Sequence, residues 1–230
     1  MDLKILGKKG EIDKSLPRHS NQSGILIDRQ LLIDLGEKKY LKNCPKWILL
    51  THLHPDHAYF MRQGREEEPP SEVPIFAPEK TKQVELQILN RKKQLGAYRI
   101  TPIPTHHSKH VKSQAYLVEK GKKSILYTGD VVWIDKKYHH LFAEVDLIIT
   151  DGSFLREGGM VRKDEGSLFG HNGIPNLIRL FRPYTRQILF VHFGSWFYKD
   201  IRESQKKMRA LSKKYAIALL VGYDGMELQV

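Results

Sequence analysis

Thiols are almost missing from this sequence, since Cys44 is the only cysteine in 230 residues. No internal disulfide can form, and a closed structural zinc site built on several thiolates is excluded. Cys44 itself reads as inert packing, and a reducing cytoplasm is the expected location. Long apolar runs are lacking too: no segment approaches the roughly 20 apolar residues of a membrane span, so no membrane partner is expected. The opening MDLKILGKKGEID is too charged for a signal peptide. There is no internal repeat and no low-complexity linker. The charged, proline-bearing stretch RQGREEEPPSEVP (62–74) is too short to divide the chain, which is therefore read as one domain over residues 1–230. Acidic residues are in deficit, with 26 Asp and Glu against 38 Lys and Arg, a formal net charge of +12. Such an excess attracts phosphate-bearing partners, but lysine-rich surfaces also occur in heat-adapted proteins, so charge alone does not choose a partner.

Short apolar runs ending in turn or polar residues recur throughout: GILIDRQLLIDLG, KWILLTHLH, VPIFAP, YRITPIPT, SQAYLVE, SILYTGD, LIITDGS, RQILFVHFG and IALLVGYDGMELQV. Their lengths and boundaries predict strands, with hairpins at 25–35 and 114–129. Helices are expected at 78–96, 172–184 and 200–216. More strands than helices, with hairpins in the first half, suit layered sheets covered by helices better than a purely parallel doubly wound sheet. His52, His107, Asp130, Asp151 and His192 all stand at or just past the end of an apolar run. Strand ends that release polar side chains together are the usual way a rigid sheet presents a site.

The densest chemistry lies in THLHPDH, residues 51–57. Alternate side chains of an extended segment point the same way, so His52 and His54 can share one ion. Beyond the kink expected at Pro55, Asp56 and His57 can turn to a second ion. Imidazole and carboxylate suit zinc, manganese or iron, and two divalent ions are the expected cofactors, zinc first among them.

This segment resembles the His-x-His-x-Asp-His signature of the metallo-β-lactamase superfamily, and further motifs follow in order across residues 18 to about 195. The resemblance implies an αββα four-layer sandwich in the α/β class. It implies that His52, His54 and one of His106 and His107 hold the first metal, that Asp56, His57 and His192 hold the second, and that Asp130 in ILYTGD lies between them. His107 is preferred because Ser108 follows it, as in the phosphodiesterase branch; His106 then orients a ligand from behind. Asp34 in LLIDLG braces the site, and Asp151 supports it from a strand end. Two ions about 4 Å apart can present a hydroxide to a bound ester. Asp56, besides being a ligand, is a candidate catalytic residue together with His171, the candidate acid for the leaving group. His171 is expected to begin a helix capped by Asn172. The remaining histidines, His19, His110, His139 and His140, are expected at the surface.

The His-Ser motif, the GHN stretch before the last ligand and the basic charge together favour a phosphodiester substrate, either cyclic or part of a nucleotide or nucleic acid. The 22 residues between His107 and Asp130 suffice for a hairpin but not for the long arm with which ribonuclease Z grips tRNA. Residues 153–173 read as a glycine-rich, flexible wall whose Arg156, Arg162 and Lys163, with Asn172, meet the phosphate. Trp196, Phe197 and Tyr198 are expected either to stack a base or to seal the core. Alternatives are a lactonase or thioesterase using the same site, and a nucleic-acid-binding protein with a non-catalytic metal cluster. A homodimer is compatible with everything above.

Overall fold

A computed structural model describes residues 1–64, 68, 70, 72–164 and 166–230. Its strands are β1 (Asp2–Gly7), β2 (Gly24–Ile27), β3 (Leu31–Ile33), β4 (Trp47–Leu49), β5 (Ile75–Ala77), β6 (Gln87–Ile88), β7 (Lys93–Leu95), β8 (Tyr98–Thr105), β9 (Ser113–Lys120), β10 (Lys123–Tyr127) and β11 (Leu147–Asp151). There follow β12 (Met160–Asp164), β13 (Ser167–His171), α1 (Ile174–Phe181), β14 (Gln187–Val191), α2 (Ser195–Lys199), α3 (Ile201–Tyr215), β15 (Ala218–Val221) and β16 (Glu227–Gln229).

Strands buried on both faces explain why most of the apolar runs show no alternation. In β2, for example, Ile25 and Ile27 pack between two sheets while Leu26 packs outwards. The first sheet has the order β16-β1-β2-β3-β4-β5-β6, and the second β15-β14-β11-β10-β9-β8-β7. Each sheet is antiparallel on one side and parallel on the other, changing over at β3 and β10. Leu3, Ile33 and Leu49 of the first sheet meet Ile100, Val118, Ile125 and Ile149 of the second in the central core. Helix α1 lays Leu177, Ile178 and Phe181 against the outer face of the second sheet, with Phe197 and Met208 of α2 and α3. The fold is an αβ/βα sandwich of two mixed sheets flanked by helices. No described helix is long and apolar enough to cross a membrane.

Both expected hairpins form. The β2–β3 turn places Asp28 and Arg29 at φ 48° and 57°, the left-handed pair that matches strand twist. Helices form within 172–184 and 200–216, and Asp200 caps α3 by accepting from the Glu203 N–H at 3.0 Å. The helix expected at 78–96 does not form. That stretch instead carries the chain from one sheet to the other, pairing β6 with β5 and β7 with β8. Short 3-10 helices at Lys38–Asn43 and Tyr59–Met61 cover the first sheet, burying Tyr40, Tyr59 and Phe60.

Met160–Asp164 and Ser167–His171, expected within a flexible loop, pair as the β12–β13 ribbon. Other expectations also change. Cys44 is exposed at the end of a 3-10 turn rather than packed. His19 is buried against Phe197 and Tyr198, and His139 bonds both Tyr184 and the Ile134 carbonyl. Phe197 and Tyr198 seal the core, while Trp196 donates to the Gly152 carbonyl at 2.9 Å.

Candidate metal centre

The ligand-type side chains leave the same edge of both sheets. Those of residues 52–57 follow β4; His107 follows β8, Asp130 follows β10, Asp151 ends β11 and His192 follows β14. They converge into two groups, each with ligand atoms within 4.8 Å of one another: His52, His54, His107 and Asp130, and Asp56, His57, Asp130 and His192. Asp130 belongs to both, and its two oxygens face opposite ways. Oδ2 lies 3.8 Å from His52 Nε2 and 3.5 Å from His107 Nε2, whereas Oδ1 lies 3.3 Å from His57 Nε2 and 3.1 Å from His192 Nδ1. A third group joins Asp151 and His171 to Asp130 and His192.

Hydrogen bonds from behind fix which nitrogen faces inward in three of the rings, those of His52, His57 and His107. His57 Nδ1–H donates to Asp34 at 2.7 Å, leaving Nε2 for an ion. Asp34 also accepts from the Thr51 N–H at 2.8 Å and from the Thr51 hydroxyl, whose oxygen in turn accepts from His52 Nδ1 at 3.0 Å. One aspartate thus orients two histidines, the second through Thr51, a link that sequence alone did not reveal. His107 Nδ1–H donates to the Gly170 carbonyl at 3.0 Å, and Gly170 N–H returns a bond to the His107 carbonyl at 2.7 Å. The β12–β13 ribbon is therefore fastened to a candidate ligand. Gly129, at φ 58°, is required beside Asp130, because a Cβ there would stand 2.6 Å from Thr51 Oγ1.

His106 departs from its expected place. Residues 105 and 107 share one side of the extended chain, so the ring between them turns away and bonds Asp135 at 2.9 Å, where it orients no ligand. The amide of Asn172 is committed to the Val132 carbonyl and the Gly173 N–H, and the N-cap of α1 is Gly173 with no side-chain cap bond. Arg162 and Lys163 lie exposed on β12, and Arg156 stands over the Phe154 ring. None of these three joins a ligand group.

Electrostatics test whether cations fit. Asp34, Asp56, Asp130 and Asp151 are all buried, and among the described residues their ion-pair partners are histidines, with no lysine or arginine. Burial alone would lift the Asp130 pKa, but His192, His57 and His171 hold it well below the usual carboxylate range. Burial also lowers His52, reinforced by His57 and His107, and brings His107 down to about 4 despite Asp130. Both rings are thus neutral, the form that binds metal. In His57 and His192 burial is outweighed by carboxylates, Asp130 foremost, which hold both well above the ordinary histidine value. His52 Nε2 and Asp130 Oδ1 are buried with no hydrogen-bond partner. Unpaired atoms aimed into a cluster of like-charged carboxylates are what divalent ions satisfy, so the residues fit a dinuclear metal centre.

The family model described as a beta-lactamase superfamily domain matches residues 42–193. The chain belongs to the beta-lactamase superfamily. Comparison with curated proteins finds no match. Among solved structures of the superfamily fold, the metallo-beta-lactamase fold protein YhfI from Bacillus subtilis is similar at TM-score 0.71 and 16% identity, over 99% of this chain and 98% of that one. A diphosphatase of the PhnP family reaches 0.68 at 16% identity, over 100% and 97%. An isothiocyanate hydrolase from Delia radicum gut bacteria reaches 0.66 at 14%, over 100% and 99%. Likeness at such identities concerns the fold. It agrees with the local chemistry, a two-metal hydrolase site held at one edge of the superfamily sandwich.

His171 stands at the mouth of this site. Its Nδ1 is held 2.7 Å from Asp151, its ring is stacked on His192 at 5.6 Å, and its side chain remains 18% exposed. Ser153, a contact missed in the sequence, places its hydroxyl 3.3 Å from His171 Nδ1 and 3.0 Å from His192 Nδ1. Short hydroxyls such as Ser153 and Thr51 follow strand ends, but only the folded chain shows which ring they meet.

Proposed function

We propose that the protein hydrolyses phosphodiesters, cyclic or belonging to nucleotides or nucleic acids, at this two-metal site. The observation that carries the reading is His171, anchored through one nitrogen by buried Asp151 and partly exposed beside both ligand groups. Its Nε2 is free to give a proton to the oxygen that leaves phosphorus, while Asp151 stabilises the ring's charge. His52, His54 and His107 would hold the first ion, Asp56, His57 and His192 the second, and Asp130 both. When bound, zinc, manganese or iron in these positions would activate water and draw charge from the phosphoryl oxygens. The carboxylate of Asp56, 2.8 Å from His192 Nε2, would keep the second group anionic at the mouth of the site. Arg156, Arg162 and Lys163 are proposed to attract the substrate's phosphate as exposed cations of the ribbon segment.

Supporting the reading are the basic charge, which favours anionic substrates, and the fold shared with a protein described as a diphosphatase. The stretch between His107 and Asp130 is filled by the β9–β10 hairpin, so a long tRNA-gripping arm has no place there. A second reading, hydrolysis at a carbonyl-like carbon, draws on the isothiocyanate hydrolase of the same fold. The deciding experiment offers the manganese- or zinc-loaded protein bis-p-nitrophenyl phosphate and cyclic nucleotides beside lactones and thioesters. Phosphodiester turnover is expected; turnover of the carbonyl substrates alone refutes the proposal. Binding of nucleic acid with no cleavage and a steep salt dependence would favour the non-catalytic alternative.

A further inference from the structure

Just beyond β1, Lys8 is completely buried, and its amine has no hydrogen-bond partner. Aromatic rings take the place of one: the amine lies 3.9 Å from the centre of the Phe197 ring, 4.5 Å from Tyr198 and 4.6 Å from Phe193. Burial draws the Lys8 pKa down to about 7, opposed by the charge of Asp224. A basic side chain placed at such cost invites an account of what it holds in place.

What it grips is the segment that leaves the second metal group. His192 has φ 52°, a left-handed conformation that a non-glycine residue keeps only when its surroundings enforce it. The next residue, Phe193, donates its N–H to the Lys8 carbonyl at 3.0 Å and accepts from the Gly10 N–H. Gly10 lies directly against the His192 ring, so close that a Cβ would stand 3.0 Å from Cε1. Residues 8–10 are thus the bed on which the His192 turn rests, and the ring cage ties that bed to α2.

We propose that Lys8 is a positioning residue for the second ion: its amine, caged by Phe193, Phe197 and Tyr198, locks the His192–Phe193 turn and so presets the His192 imidazole towards Asp56 and Asp130. The inference rests on His192 being a ligand of that ion, and the test separates the two claims. Stepwise Co²⁺ binding to the full chain is followed by calorimetry and visible absorption, with His54→Ala and His192→Ala marking which step belongs to which group. If His192→Ala alters neither step, the metal-centre reading itself falls.

Lys8→Met keeps the volume and removes the amine. It is expected to weaken the second Co²⁺ by about tenfold or more and to change that ion's absorption, with the first ion unaffected. Phe197→Leu is expected to weaken the same step, and the double variant to be no worse than Lys8→Met alone, because both changes break one contact. An unchanged second step, equal weakening of both ions, or additive losses overturns the proposal. Should Lys8→Met fail to fold, Phe197→Leu and Gly10→Ala must each weaken the second ion selectively, and failure to do so overturns it equally.

Discussion

Two buried aspartates on opposite sheets each hold a histidine at 2.7 Å, and they do different things with it. Asp34, just after β3, grips His57, whose ring is wholly enclosed and turned towards Asp56 and Asp130. Asp151, at the end of β11, grips His171, whose ring stays partly open to solvent. Asp34 is further tied to Thr51 and to the Tyr127 hydroxyl at 2.8 Å, so it braces both sheets at once. Asp151 otherwise accepts from the Ser153 N–H at 2.8 Å and lies 3.6 Å from His192 Nδ1, so its contacts stay within the second sheet. On the proposed reading, the same pair of residue types would make a ligand where the ring is enclosed and a proton carrier where it is open.

Breaking the Asp34 side should have the larger effect. Asp34→Ala strands the His57, Thr51 and Tyr127 donors in the interior, and a loss of about 3–5 kcal/mol in unfolding free energy is expected, together with loss of bound metal. Denaturant unfolding and elemental analysis of the same preparation check both. His171→Ala removes the partly open ring and leaves Asp151 with the Ser153 N–H and His192: metal content should hold and the loss of stability should be smaller than for Asp34→Ala, while phosphodiester turnover falls by about 10²–10⁴-fold. Unchanged turnover would remove His171 from the reaction. Asp151→Asn keeps the ring but loosens it, and a fall of about 10–100-fold in kcat with KM little changed is expected from steady-state kinetics.

The smallest effect belongs to a third aspartate, remote from the metals. Partial burial pushes the Asp28 pKa up, but bonds from Lys120, the Asp2 N–H and the Tyr98 hydroxyl hold it below the ordinary value. A lowered folded pKa stabilises above the unfolded carboxylate range, and that stability is lost as pH falls through the folded value. Asp28→Asn should thus cost about 0.5–1 kcal/mol at pH 7, discounted for its partial exposure, and the difference from the parent should vanish in acid. Unfolding curves across pH show whether it does.

The site was legible wherever a polar residue ended an apolar run. His52, Asp130, Asp151 and His192 were found that way, and the alternation of β8 now gives a geometric reason for His107 over His106. Residues 78–96 read as a helix because Glu, Lys and Gln favour helices, whereas Leu86 and Leu89 are buried beside strand pairing that no local propensity reports. The β12–β13 ribbon was hidden because its first strand is largely exposed and so lacks an apolar pattern. The burial of Lys8 is not legible in the sequence, since nothing in MDLKILGKK announces the rings that meet it from residues 193–198.

Each ligand group draws side chains from both sheets: His52 and His54 with His107 and Asp130, and Asp56 and His57 with Asp130 and His192. Bound ions would accordingly act as rivets through the open rim of the sandwich, joining parts of the chain up to 136 residues apart. Neither ligand group is complete before the two sheets have docked, so full loading with metal would report on completed assembly of the sandwich.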